Sequence, residues 1–228
     1  MAGLQTIIDN CNGLTFDRRN VVGIQYTRNE IPRVSQTPTK NPWKIKVDMP
    51  NSFRYSQARA VIEALDHLDR TTPEVITFSN NPRLSWIFSY LGSMSFAQRD
   101  ALTISSYVGN MLTLTNLPVI SSTRVLFEPN DLIQISGSPY PFTVRSQVLR
   151  GTGSTITLET SRPNIISHSV VGYNMYFGNV CQFNVFCPNM PVYKLSPGGQ
   201  LMTGNTVINN ALIEWSDSFK LYEYVGAA

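Results

Sequence analysis

Two histidines, a few scattered carboxylates and one glycine-rich turn are the residues here whose types could do chemistry. His67 falls inside a helical pattern between Asp66 and Leu68, where solvation or packing accounts for it. His168 sits in Ile166-Ser167-His168-Ser169 with no acidic neighbour to orient it as a base. Asp66 with Asp69, and Asp217 with Glu223, can be written as carboxylate pairs, but surface spacing explains both. A pair drawn from distant strands stays open at this level. The chain has no H-E-x-x-H, G-x-S-x-G, Walker A or G-x-G-x-x-G motif. No catalytic, cofactor-binding or metal-binding residue is therefore assigned, and no enzymatic activity is expected.

Gly151-Thr152-Gly153-Ser154 lies between two strand patterns and opens no helix, so it lacks the dipole of a phosphate site and reads as a hairpin turn. Asn130-Asp131 lacks the alternating ligands of a calcium loop. It reads as a turn entering a strand, with Asn tolerating a left-handed backbone. Cys11, Cys181 and Cys187 are an odd set, without zinc-ligand spacing or a nearby His, so neither a disulfide framework nor a metal site is expected. Trp43, Trp86 and Trp215 could line a carbohydrate or base-stacking site. Each lies in an apolar pattern that favours core or subunit interface.

The elements that must position these groups are mostly strands. Residues 43–49 alternate, with Trp43, Ile45, Val47 and Met49 on one face. One helix stands out over residues 55–70, where Ala58, Val61, Ile62, Leu65 and Leu68 form an apolar stripe. Val21-Val22-Gly23-Ile24-Gln25-Tyr26-Thr27 is β-rich, and residues 31–42 carry Pro32, Pro38 and Pro42, so they read as a loop or extended arm. Residues 75–78 form a strand, 84–91 fit either a strand or a short helix with the alternation favouring a strand, and 97–107 give no decisive pattern. From 108 to 165, short strands bounded by Gly, Pro or Asn predict a small barrel or sandwich. Residues 181–186, 211–215 and 219–225 read as closing strands.

The fold class is thus mainly β with one prominent helix (α+β). A β-rich scaffold over 1–107 and 170–228, with helix 55–70, carries a small β-barrel domain at 108–165, readable as an insertion. The 228 residues support a substantial core. Charged residues are 14% of the chain, against about 25% in globular proteins generally. A charge-poor surface suits burial against other proteins. The net charge is +3, and the densest basic pair, Arg18-Arg19, stands alone, so direct nucleic-acid contact is not expected. No run of about 20 apolar residues spans a membrane. The odd cysteine set favours synthesis in a reducing cytoplasm, and Met1-Ala2-Gly3-Leu4 shows no signal-peptide pattern.

Three stretches carry a resemblance. Asn130-Asp131-Leu132-Ile133-Gln134-Ile135, then Tyr140-Pro141-Phe142-Thr143-Val144, then Gly151-Thr152-Gly153-Ser154-Thr155-Ile156-Thr157-Leu158, run on to Arg162-Pro163. Together they resemble a small β-barrel element of tail-associated structural proteins of tailed phages. Asn130 stands where that pattern has Gly. Residues 14–163 are more loosely similar to virion structural proteins of T4-like marine myophages. The resemblance implies a tail or baseplate subunit that forms rings with itself and neighbouring tail proteins. It would be assembled in the host cytoplasm and work without a cofactor or a membrane. Residues 23–42 would be an arm crossing to an adjacent subunit. A carbohydrate-binding part of a receptor-binding tail protein and a head–tail connector or neck protein are the alternatives.

Overall fold

The computed structural model describes residues 3–18, 22–26, 32–36, 42–49, 53–56, 58–59, 62–63, 72–196, 200–203, 206–209 and 211–225. The fold is mainly β with few helices, in the α+β class. The chain divides into two compact units. The first comprises Met1–Phe16, Lys44–Ser89 and Gly178–Tyr224, the second Asp17–Trp43, Tyr90–Phe177 and Val225–Ala228. The 108–165 segment lies wholly within the second unit, which extends past it on both sides.

A five-stranded sheet organises the first unit. Its order is β1 (Gly13–Asp17), β4 (Lys44–Asp48), β20 (Phe219–Glu223), β15 (Gln182–Phe186) and β6 (Glu74–Thr77). Its central strands alternate as their sequences require. Ile45 and Val47 on β4, Phe219 and Leu221 on β20, and Phe183 and Val185 on β15 are all buried. Each such side chain contributes roughly 1.5–3 kcal/mol. Phe78 and Phe183 make an edge-on contact at 5.3 Å, and Phe16 meets Phe88 edge-on at 5.0 Å. The strand expected to close the chain, β20, lies in the sheet's centre, antiparallel to both β4 and β15.

The helix Gly3–Asn10 buries Leu4, Ile7 and Ile8. Its Gln5 closes the free edge of β6. The side-chain amide donates to the Thr77 carbonyl at 2.9 Å, and its oxygen accepts from the Thr77 N–H at 2.8 Å. A second sheet has the order β16 (Tyr193–Ser196), β19 (Leu212–Trp215), β5 (Phe53–Arg54), and β17 (Gln200–Thr203) pairs with β18 (Thr206–Asn209). Of the expected helix, Tyr55, Ser56, Ala58, Arg59, Ile62 and Glu63 are helical. Ala58 and Ile62 pack with Ile213, Met49 and Trp215. Val61, Leu65, Leu68, His67, Asp66 and Asp69 lie outside the described residues.

Of the strand and the short helix open over 84–91, the chain takes the helical form: Ser85–Phe88 is a 3-10 helix. Ile87 N–H donates to Leu84 and Ser89 N–H to Trp86, both at 3.0 Å. The buried Asn81 sets this up. Its amide donates to the Ile8 carbonyl at 2.8 Å, and its backbone carbonyl receives the N–H groups of Leu84 and Ser85. Leu84 and Phe88 turn inward as anchors while Trp86 and Ile87 face solvent.

The second unit holds an apolar core drawn from Leu102, Leu112, Leu114, Leu126, Phe127, Ile133, Phe142, Leu158 and their neighbours. One sheet runs β13 (Ile156–Glu159), β8 (Met111–Thr115), β7 (Thr103–Val108), and another runs β11 (Pro141–Thr143), β10 (Leu132–Ile135), β14 (Met175–Phe177). Two further pairs are β9 (Val125–Phe127) with β12 (Val148–Leu149) and β2 (Val22–Tyr26) with β3 (Pro32–Gln36). No sheet among the described residues closes into the expected barrel. The two three-stranded sheets are joined instead by single bridges, Thr103 to Asn174 and Val144 to Thr160. The strands surround the core without a continuous ladder.

The loop reading of 31–42 is corrected over Pro32–Gln36, which is a strand paired antiparallel with β2. Pro occupies its first position, where a missing N–H costs least. Residues 97–107 resolve into the helix Phe96–Asp100 followed by β7. Ser95 and Gln98 cap that helix reciprocally, through a Ser-x-x-Gln pattern carried by the sequence.

All three cysteines are buried thiols. Burial pushes the Cys11 thiol up to about 11 and raises Cys181 further. Thiolate is the reactive form. Titration of the native protein with a thiol reagent at pH 8 should therefore show no fast-reacting group, and three should appear in denaturant.

Candidate interaction surface

Chemistry-bearing side chains do not converge among the described residues. His168 is exposed, its ring 6.0 Å from that of Tyr173. Asp217 is exposed, and its carboxyl is held low first by the Ser218 N–H at 2.7 Å and then by Lys220 Nζ at 3.1 Å. Glu223 is buried at the far end of β20. The strand from Phe219 to Glu223 alone spans about 13 Å, so the two carboxylates do not act as a pair. No group of three His, Cys, Asp or Glu side chains among the described residues is placed to hold a metal.

Asn130 adopts φ +72, the left-handed turn its sequence suggested. Asp131 beside it is 2% exposed and works as a staple, not an ion ligand. One carboxylate oxygen accepts from Leu91 N–H at 2.9 Å and the other from Glu128 N–H at 2.8 Å. This ties the chain's entry into the second unit to the turn before β10. The Tyr90 hydroxyl reinforces the join by donating to the Leu126 carbonyl. Gly92 is required there, because an added Cβ would collide with both that hydroxyl and that carbonyl.

The glycine-rich turn is not the hairpin expected. It connects β12 to β13, which belong to different sheets. Gly151 takes φ +59 in open space. The turn presents oxygens inward. Arg150 donates to the carbonyls of Gly151 at 3.2 Å and Gly153 at 2.8 Å, and its Nε donates to Pro118 at 2.8 Å. This polarity is the reverse of a phosphate cradle, and the cation it accommodates is the protein's own. The stitching also fixes the loop that carries Val119, which is 100% exposed.

The tryptophans part ways. Trp43 is buried in the second unit and donates to the Pro141 carbonyl at 3.2 Å. Trp215 is half-buried between Tyr193, at 5.5 Å, and Phe219, at 4.8 Å. Trp86 is 69% exposed, which removes the core reading for it. Its indole N–H donates to the Arg83 carbonyl at 2.7 Å. The ring is thus held in place with its polar atom satisfied internally. Ile87 beside it and Val180, on the adjoining 3-10 turn Gly178–Val180, are exposed too. Tyr193 and Leu195 are exposed on β16, an edge strand among the described residues, and Val192 is exposed just before it.

Arg18 and Trp43 meet on the β10–β11 hairpin. The guanidinium lies 5.3 Å from the Trp43 ring centroid, and it donates to the Thr143 hydroxyl and to Asn130 Oδ1. Burial lowers the Arg18 pKa from its ordinary value. Arg18 is therefore a structural clamp. Arg19 lies outside the described residues.

No protein-family model matches the chain, and no curated protein matches its sequence.

Asp131→Asn should destabilise the protein by about 1–3 kcal/mol, because one acceptor is lost and an N–H is left facing an N–H. Burial raises the Asp131 carboxyl above its ordinary 3.8, so its ionisation opposes folding. That penalty fades as pH falls through the raised value and is gone below 3.8. Urea unfolding at pH 7 and pH 4 should show the wild type's advantage over Asp131→Asn growing on acidification.

Proposed function

We propose that this chain is a non-enzymatic structural subunit of a tailed-phage virion, from the tail or baseplate, that assembles with copies of itself and its neighbours. The observation that carries this reading is the fixed apolar cluster of Trp86, Ile87 and Val180 on the first unit. Large side chains left in water on a rigid base suit a contact surface, and Trp is among the residues most often dominant in such contacts. The other exposed apolar positions, Val119, Val108 and Val192 among them, fit a subunit with more than one neighbour. The low charge and the phage-tail resemblance of residues 124–163 point the same way. A neck or connector position is a variant of this reading.

The same indole favours a second reading, in which Trp86 is a stacking platform for a sugar ring in a receptor-binding part. Saturable quenching of tryptophan fluorescence by an oligosaccharide, lost in Trp86→Ala, would select it.

Light scattering of the purified chain, alone and mixed with candidate tail proteins, should give a discrete oligomer or a defined complex. A monomer that ignores every partner would sink the assembly reading. Because its ring is largely solvated, Trp86→Ala should leave the circular dichroism spectrum unchanged. It should weaken association at least about tenfold, as expected of a contact anchor.

A further inference from the structure

The second unit carries a segment unlike the rest of the chain. Arg18 and Trp43 bring its two ends together on Thr143, Asn130 and Pro141. Between them β2 and β3 pair in register from Val22 with Gln36 to Tyr26 with Pro32. Among the described residues this hairpin has no third strand. A two-stranded sheet is marginal in water by itself and gains most by adding to another surface. Residues 19–42 hold Arg19, Arg28, Arg33 and Lys40 against Glu30 alone, a net +3. The remaining chain balances fourteen basic against fourteen acidic residues, so the protein's whole net charge resides in this arm. The first unit holds nine acidic and eight basic residues, with Glu214 exposed and Asp217 paired with Lys220.

We infer that the arm docks on the first unit of a second copy, and that the contact is head-to-tail. This rests on the assembly reading above and names the contact that would serve it. Two arms facing each other would oppose +3 with +3 within a Debye length of about 8–10 Å, and like charges across paired strands destabilise them. A two-fold arm-to-arm contact is therefore disfavoured. An arm set against the neutral-to-acidic first unit meets no such penalty. Contacts between unlike surfaces propagate around a ring or along a filament, whereas like surfaces close a dimer. The arm's charge thereby selects the class of symmetry.

The experiment uses sedimentation velocity on full-length wild type and two variants. In one, residues 20–41 are replaced by a short Gly-Ser bridge, which the Arg18–Trp43 contact is close enough to accept. The other is the full-length R19Q/R28Q/R33Q/K40Q. The bridged chain alone should be monomeric, yet should bind wild type, because it keeps the accepting surface while lacking the arm. It should act as a terminator that shortens wild-type assemblies. The charge-neutral chain should associate at least about tenfold more weakly than wild type at low salt, and the gap should close at 0.5 M salt as screening removes the difference. A bridged chain that is monomeric and excluded from wild-type assemblies would show a two-fold contact and overturn the inference, leaving the assembly reading intact. A bridged chain that assembles like wild type would remove the arm from assembly, also leaving that reading intact. Wild type that stays monomeric with every tail partner would overturn both, and so would arm-dependent capture of a DNA duplex by such a monomer.

Discussion

Short strands make many sheet edges, and every edge presents N–H and C=O groups that need partners or protection. Much of this structure answers that constraint. In the first unit Gln5 mimics a strand with its side-chain amide and closes β6 at the Thr77 backbone. On β16 the edge is short, carries Lys194 at its middle, and is bracketed in sequence by Pro191 and Pro197, which have no N–H to offer. In the second unit the two main sheets reach each other through single bridges at Asn174 and Thr160. The hairpin β2–β3 lacks a third strand among the described residues, which is why its partner is sought on another molecule.

Polar groups of the second unit act as internal fasteners. Asp131 joins the incoming chain to the turn at Asn130. Arg150 locks two loops through three carbonyls. Arg18 pins the root of the arm. Each side chain could be mistaken for a functional group in isolation, and each has its hydrogen bonds directed inward. Among the described residues the apolar groups left in water include a fixed indole, an exposed loop tip at Val119, and Tyr193 and Leu195 on β16.

Alternation is a local property, and it survived folding. Ile45 and Val47 were placed on the buried face of β4 by period two alone, and the left-handed turn at Asn130 followed from its side chain's tolerance of that backbone. The early part of the 55–70 helix likewise turns Ala58 and Ile62 inward as its stripe required. Where the pattern was ambiguous, nonlocal contacts decided. Residues 85–88 alternate as a strand would, yet Asn81 and the anchors Leu84 and Phe88 wind them into a 3-10 helix. The helix Phe96–Asp100 has a local signature, the Ser95–Gln98 capping box.

By itself the sequence determined the fold class, most of the strands, the absence of familiar catalytic motifs and the concentration of charge in one segment. These depend on residue type and on neighbours a few positions away. Only the tertiary structure decided which strands pair, that the second unit spans Tyr90–Phe177 with the arm 17–43, that no barrel closes, and that Trp86 is solvated while Trp43 is buried. The reason is physical: strand pairing and burial depend on which distant segments arrive beside a residue. Trp43 and Trp86 both sit in apolar, alternating sequence, so nothing local distinguishes the one that fills a core from the one left facing water.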